Sequence, residues 1–109
     1  MEQRKNHIVI LVTTGNQIEA KKIARVLVEE KLAGCVNFYP VTSVYRWQNE
    51  ICEDAEWQLV IKTDEQLFST LSARIQDLHS YDVPEIIALP IVNSSMAYIQ
   101  WLQDSLQKV

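Results

Sequence analysis

Two hydrophobic rhythms alternate along the chain, one of period two and one of period near 3.6. Ile8, Val9, Ile10, Leu11 and Val12 form an unbroken, mostly β-branched run, which predicts a strand covered on both faces. Thr13, Thr14 and Gly15 end it. Asn16, with Glu19 three positions on, has the form of a helix N-cap close to a capping box. Ala20, Ile23, Ala24, Val26 and Leu27 then mark one face of a helix expected to reach about Leu32, with Gly34 as its glycine cap. Residues 35–47 read as a strand interrupted at Pro40, where a kink is expected. Gln48, Asn49 and Glu50 read as a hairpin turn, with Asn49 the residue suited to a left-handed conformation. Residues 51–63 return as a strand in which Trp57, Leu59 and Ile61 alternate with more polar positions. Leu67, Leu71, Ile75 and Leu78 line a second helix, capped by Thr63 or Asp64. Residues 79–84 form a loop, with Val83 held extended by Pro84. Residues 85–91 predict a last strand, with Pro90 marking a sheet edge. Tyr98, Ile99, Leu102 and Leu106 stripe a terminal helix capped by Ser94 or Ser95.

The order β-α-β-β-α-β-α predicts an α+β fold, the ferredoxin-like split βαβ sandwich with an added C-terminal helix. It is read as one domain over residues 1–109, with residues 1–7 a polar N-terminal tail. The second strand is too long for such a domain. Thirteen residues, Cys35 to Trp47, span roughly 43 Å at about 3.3 Å each. A domain of this length is only about 34 Å wide. The overhang carries Val44, Tyr45, Trp47 and Ile51, and a lone two-stranded ribbon is marginal in water. A homo-oligomer joined through the hairpins follows. A hairpin curled over its own sheet is the alternative.

Composition narrows the partners. The chain is 48% hydrophobic and 22% charged, an ordinary globular balance. A net charge of −4 argues against nucleic acid and anionic membranes as partners. No apolar run approaches the ~20 residues of a membrane helix, and residues 1–7 lack a signal-peptide core. Two cysteines, Cys35 and Cys52, make no disulfide framework, so a cytoplasmic, reduced protein is expected.

Chemical motifs are few. No nucleotide-binding fingerprint, CxxC or HExxH is present, and no organic cofactor is implied. Gly15 reads as an ordinary strand-to-helix turn. Nothing near Cys35 or Cys52 marks a nucleophile, so no enzyme is expected. His79 and Glu85 bracket one loop, and imidazole with carboxylate suits copper or zinc. Spacing alone leaves His79 as a helix-terminal histidine, Glu85 as a solvated residue and Cys35 as a small buried hydrophobe. Tyr45, Arg46 and Trp47 have the composition of a protein interface.

Several separate blocks, in order, resemble one family. They are residues 31–37 (KLAGCVN), 40–47 (PVTSVYRW), 61–63 (IKT), 79–91 (HSYDVPEIIALPI) and 98–102 (YIQWL). The sequence resembles the CutA divalent-cation tolerance proteins from about residue 8 to 107. The resemblance implies a homotrimer built through the long strands, and a role in tolerance of copper and other divalent ions. It implies Cu2+ or another divalent cation at sites between subunits, with His79, Glu85 and Cys35 as ligands. It also implies an inter-subunit cleft lined by Tyr45, Trp47, Glu56, Lys62, Tyr81 and Pro84. A trimeric sensor or scaffold holding an organic anion near Lys62 is the other reading. Three positions depart from the family pattern: Ser80 replaces a proline, Asn49 a turn glycine, and Thr13 a first-strand cysteine of some copper-binding members.

Overall fold

The computed structural model describes residues 6–109. Its elements are β1 (His7–Thr14), α1 (Gln17–Glu29), β2 (Cys35–Trp47), β3 (Glu50–Asp64), a 3-10 turn (Glu65–Leu67), α2 (Phe68–Leu78), β4 (Ile87–Pro90) and α3 (Met96–Asp104). The strands form one sheet in the order β2-β3-β1-β4, with every neighbouring pair antiparallel. Of the tail expected over residues 1–7, residues 1–5 lie outside the described residues, and His7 already belongs to β1.

The strand alternation builds the core. Ile8, Ile10 and Val12 of β1 lie opposite Thr63, Ile61 and Leu59 of β3, and all six are buried. They pack with Ala20, Ile23, Ala24 and Leu27 of α1 and with Leu67, Leu71 and Ile75 from the second helical segment. Each such aliphatic side chain contributes about 1.5–3 kcal/mol by leaving water. The ion pair of Arg74 on α2, forked onto Glu30 at the end of α1 at 2.9 Å, is partly exposed. Exposed pairs are worth about 0–1 kcal/mol, so apolar packing holds the layers together. The other sheet face is less covered. There Val9 pairs with Leu89 and Leu11 with Ile87, and both β4 side chains are half exposed.

The helix ends are capped by local polar groups. Asn16 Oδ1 accepts the Glu19 N–H at 2.8 Å and Ser95 Oγ the Tyr98 N–H at 3.3 Å, whereas Asp64 Oδ1 accepts the Gln66 N–H at 2.8 Å and so caps the 3-10 turn, not α2, whose N-cap Leu67 makes no side-chain bond. The end of α1 differs from expectation. Leu32 N–H bonds to Leu27 C=O and Lys31 N–H to Val28 C=O, which is the Schellman arrangement. Its left-handed residue is Lys31, at φ 58°, and not Gly34. Gly34 is small for another reason: a Cβ there would lie 2.5 Å from Leu102 Cδ1, and Leu102 is fully buried. A left-handed L-residue costs roughly 1–2 kcal/mol, and part of that is offset because glycine loosens the unfolded chain. Lys31→Gly should therefore raise the unfolding free energy by about 0.5–1 kcal/mol, read by urea denaturation at fixed protein concentration.

The hairpin is as long as expected. The molecule measures 51 × 25 × 22 Å, so the ribbon doubles its length in one direction. β2 runs unbroken through Pro40, which pairs with Trp57; as an edge strand, β2 tolerates the missing N–H. The turn has two residues, Gln48 at φ 50° and Asn49 at φ 66°, both left-handed as a tight hairpin requires. Glu50 already belongs to β3. The last strand is shorter than expected: Ile87 to Pro90 pair with β1 and Ile91 N–H still reaches the His7 carbonyl at 3.0 Å, but Glu85 and Ile86 remain in the loop.

Candidate functional site

A cleft of about 580 Å³ opens where the outer half of the hairpin meets the loop after α2. β2 supplies Tyr45 and Trp47, β3 supplies Glu56 and Gln58, and the loop supplies Tyr81, Asp82 and Glu85. Three carboxylates line it, and among the described residues no lysine, arginine or histidine does. Glu56 is buried, and the Tyr81 hydroxyl donates to its Oε2 at 2.8 Å. Burial, and then this bond to a carboxylate, raises the Tyr81 phenol above the ordinary tyrosine range. On the ribbon the Tyr45 hydroxyl donates to Asp54, which pushes its pKa up to about 12. Asp54→Asn should return the Tyr45 phenol toward 10, seen by NMR titration of the tyrosine ring carbons.

The loop is anchored beneath the cleft. His79 ends α2, and its side chain is buried. Its Nε2 lies 2.7 Å from the Thr13 carbonyl oxygen of β1, and its Nδ1 lies 3.0 Å from the Tyr81 backbone nitrogen. Glu19 of α1 accepts from the Ser80 N–H at 2.6 Å and from the Ser80 hydroxyl at 3.0 Å. Gly15 leaves room for the Tyr81 phenol, since a Cβ there would sit 3.2 Å from its oxygen. A larger groove of about 1030 Å³ lies beside β4, with His7 and Glu65 as its titratable groups. His7 Nε2 is bonded to Gln103 and Glu65 Oε2 to Asn6, so the convergent chemistry is in the hairpin cleft.

Comparison with known proteins places this architecture. Residues 8–105 match the family described as CutA1 divalent ion tolerance protein. The chain belongs to the CutA family. It is 47% identical over 98 residues to the divalent-cation tolerance protein CutA of Thermus thermophilus, covering 89% of this chain and 95% of that one. It is 46% identical over 99 residues to a chloroplastic CutA protein of Arabidopsis thaliana, covering 90% of this chain and 54% of that one. The chain thus spans about half the length of the plant relative, whereas it spans nearly all of the bacterial one. The solved structure of CutA1 from Oryza sativa superposes with a TM-score of 0.93 at 42% identity, covering 95% of this chain and 96% of that one. That of the Thermus thermophilus protein superposes with a TM-score of 0.90 at 45% identity, covering 93% and 99%. No described helix is long and apolar enough to cross a membrane.

The CutA resemblance grouped nine residues, and the structure brings only some of them together. Tyr45, Trp47, Glu56, Tyr81 and Glu85 line one cleft, and Pro84 sits between its lining residues Val83 and Glu85. Lys62 does not line it. Its amino group donates to Asn37 Oδ1, and it lies 4.0 Å from Cys35 Sγ. Cys35 pairs with Lys62, whereas Thr13 pairs with Gln58, four positions along β3. That is roughly 13 Å at about 3.3 Å per residue. Cys35 is therefore remote from His79, which touches Thr13. Within one chain His79, Glu85 and Cys35 do not converge, and among the described residues no three His, Cys, Asp or Glu groups close around a metal-sized point. Both nitrogens of His79 are engaged, so a metal there would displace an existing hydrogen bond. Glu19 went unnoticed as a site residue because its place in the first turn of α1 reads as capping. Its carboxylate turns instead to Ser80.

Proposed function

We propose that the chain is a non-catalytic protein that assembles as a trimer of ferredoxin-like subunits through its long hairpins and binds divalent cations with the cleft carboxylates. The observation that carries the reading is the lining of the cleft: Glu56, Asp82 and Glu85, with no cationic side chain beside them among the described residues. Membership of a divalent ion tolerance family supports the same ligand class. Oxygen donors suit magnesium, calcium and manganese, whereas thiolates select copper(I). The carboxylates do not meet at one point, so the bound ion keeps water molecules or takes donors from a neighbouring subunit. Self-association is supported by the exposed Val44, Trp47 and Ile51 of the ribbon and by the half-exposed Ile87 and Leu89 of β4. An organic anion is the poorer occupant, because Lys62 lies away from the cleft and the carboxylates would repel it.

Calorimetric titration of chelator-stripped protein with manganese(II) tests this. The expected result is saturable binding that falls at least tenfold in Glu56→Gln and is unchanged in Cys35→Ser. Binding lost in Cys35→Ser and insensitive to Glu56→Gln would replace the carboxylate site with a thiolate one.

A further inference from the structure

We propose that His79 is the positioning residue of the cleft rather than a cation ligand: it locks the loop so that Tyr81 holds Glu56. The inference rests on the cation reading of the cleft and assigns one residue its part in it. The argument starts from hydrogen-bond polarity. A carbonyl oxygen only accepts, so the contact from Thr13 C=O requires a proton on His79 Nε2. A backbone N–H only donates, so the contact from Tyr81 requires a lone pair on Nδ1. The ring is therefore the neutral Nε2–H tautomer, with no site left for a metal.

The same two bonds tie β1 to the loop. The Tyr81 ring rests 4.8 Å from the imidazole, centre to centre, at 48°, and its hydroxyl reaches Glu56 Oε2 at 2.8 Å. Glu19 holds Ser80, the residue between them, from the side of α1. A continuous path thus runs from Thr13 through His79 and Tyr81 to a carboxylate that faces the cleft. Outer groups of this kind orient the ligand they touch, and their loss typically weakens metal binding by about 10–100-fold.

Zinc(II) is the probe, because imidazole suits it and a free His79 would take it. Long-range nitrogen–proton NMR of the histidine rings should show the Nε2–H tautomer at His79 before zinc is added and unchanged after saturation. His79→Leu and Tyr81→Phe should each weaken zinc binding about tenfold, and the double variant no further, since both act through one path. His79→Asn, whose Oδ1 can still accept the Tyr81 N–H, should recover most of the affinity. Overturning results are a zinc-dependent shift of a His79 nitrogen, additive losses in the double variant, or an Asn variant as weak as Leu. If zinc does not bind the wild-type protein, the cation reading fails, and the tautomer still judges the assignment of His79. A proton on Nδ1, or a doubly protonated ring at neutral pH, overturns it.

Discussion

Val44→Glu combined with Trp47→Glu is expected to convert the proposed trimer to a monomer. Both side chains lie on the outer part of β2, 63% and 56% exposed, and their own subunit meets them only at the rim of the cleft with the loop after α2. They make little of the subunit core, so circular dichroism should be unchanged. The ribbon is already acidic, with Glu50, Glu53 and Asp54 against Arg46. Two more carboxylates per chain would have to be desolvated in any hairpin-mediated interface, beside like charges, and burying unpaired charge is the costliest change an interface can suffer. Light scattering on a sizing column should report a fall from the mass of three chains to that of one. An unchanged trimer would remove the hairpin from the interface.

The largest expected loss of stability is at the centre of the sheet. Ile10 is fully buried on β1 and lies between Ile61 of β3 and Ala88 of β4. Ile10→Ala leaves a void that two hydrogen-bonded neighbouring strands cannot close, which costs about 2–5 kcal/mol. Ile18 offers the matched control. It is 83% exposed on the first turn of α1, so Ile18→Ala should change stability by no more than about 0.5 kcal/mol. Urea denaturation at one protomer concentration separates the two, since the proposed assembly would make stability depend on concentration.

What the sequence made legible was whatever depends on neighbours along the chain. Asn16 and Ser95 act as caps because a short polar side chain reaches the N–H groups of its own helix, and Asp64 does the same for the 3-10 turn that leads into α2. The length of β2 and β3, and so the overhang, follows from counting residues. The buried positions of β1 and β3 follow from period two. Features set by distant packing were not legible. Gly34 looked like a helix cap, yet its small size answers to Leu102, which lies 68 positions later. The left-handed conformation fell to Lys31, a residue with no preference for it, because the chain must turn there into β2. Glu85 and Ile86 carry a strand-like pattern but have no partner beyond Leu11 of β1.

The candidate site was half legible for the same reason. The resemblance pointed to a loop and a part of the hairpin that the structure brings to one cleft. Pattern says which face of a strand a residue takes, but only the pairing register says how far along it sits. Register carried Lys62 and Cys35 away from the cleft and left three carboxylates without a cation. The polarity of the His79 contacts belongs to the fold alone, since Thr13 lies 66 positions away.

The measurement that tests the account most directly is anomalous diffraction from crystals of the protein soaked in manganese(II). The account predicts one peak per chain in the hairpin cleft, with a carboxylate oxygen of Glu56 or Glu85 among its ligands and His79 still bonded to Thr13. A peak at Cys35 or on the His79 ring, with the cleft empty, would contradict it.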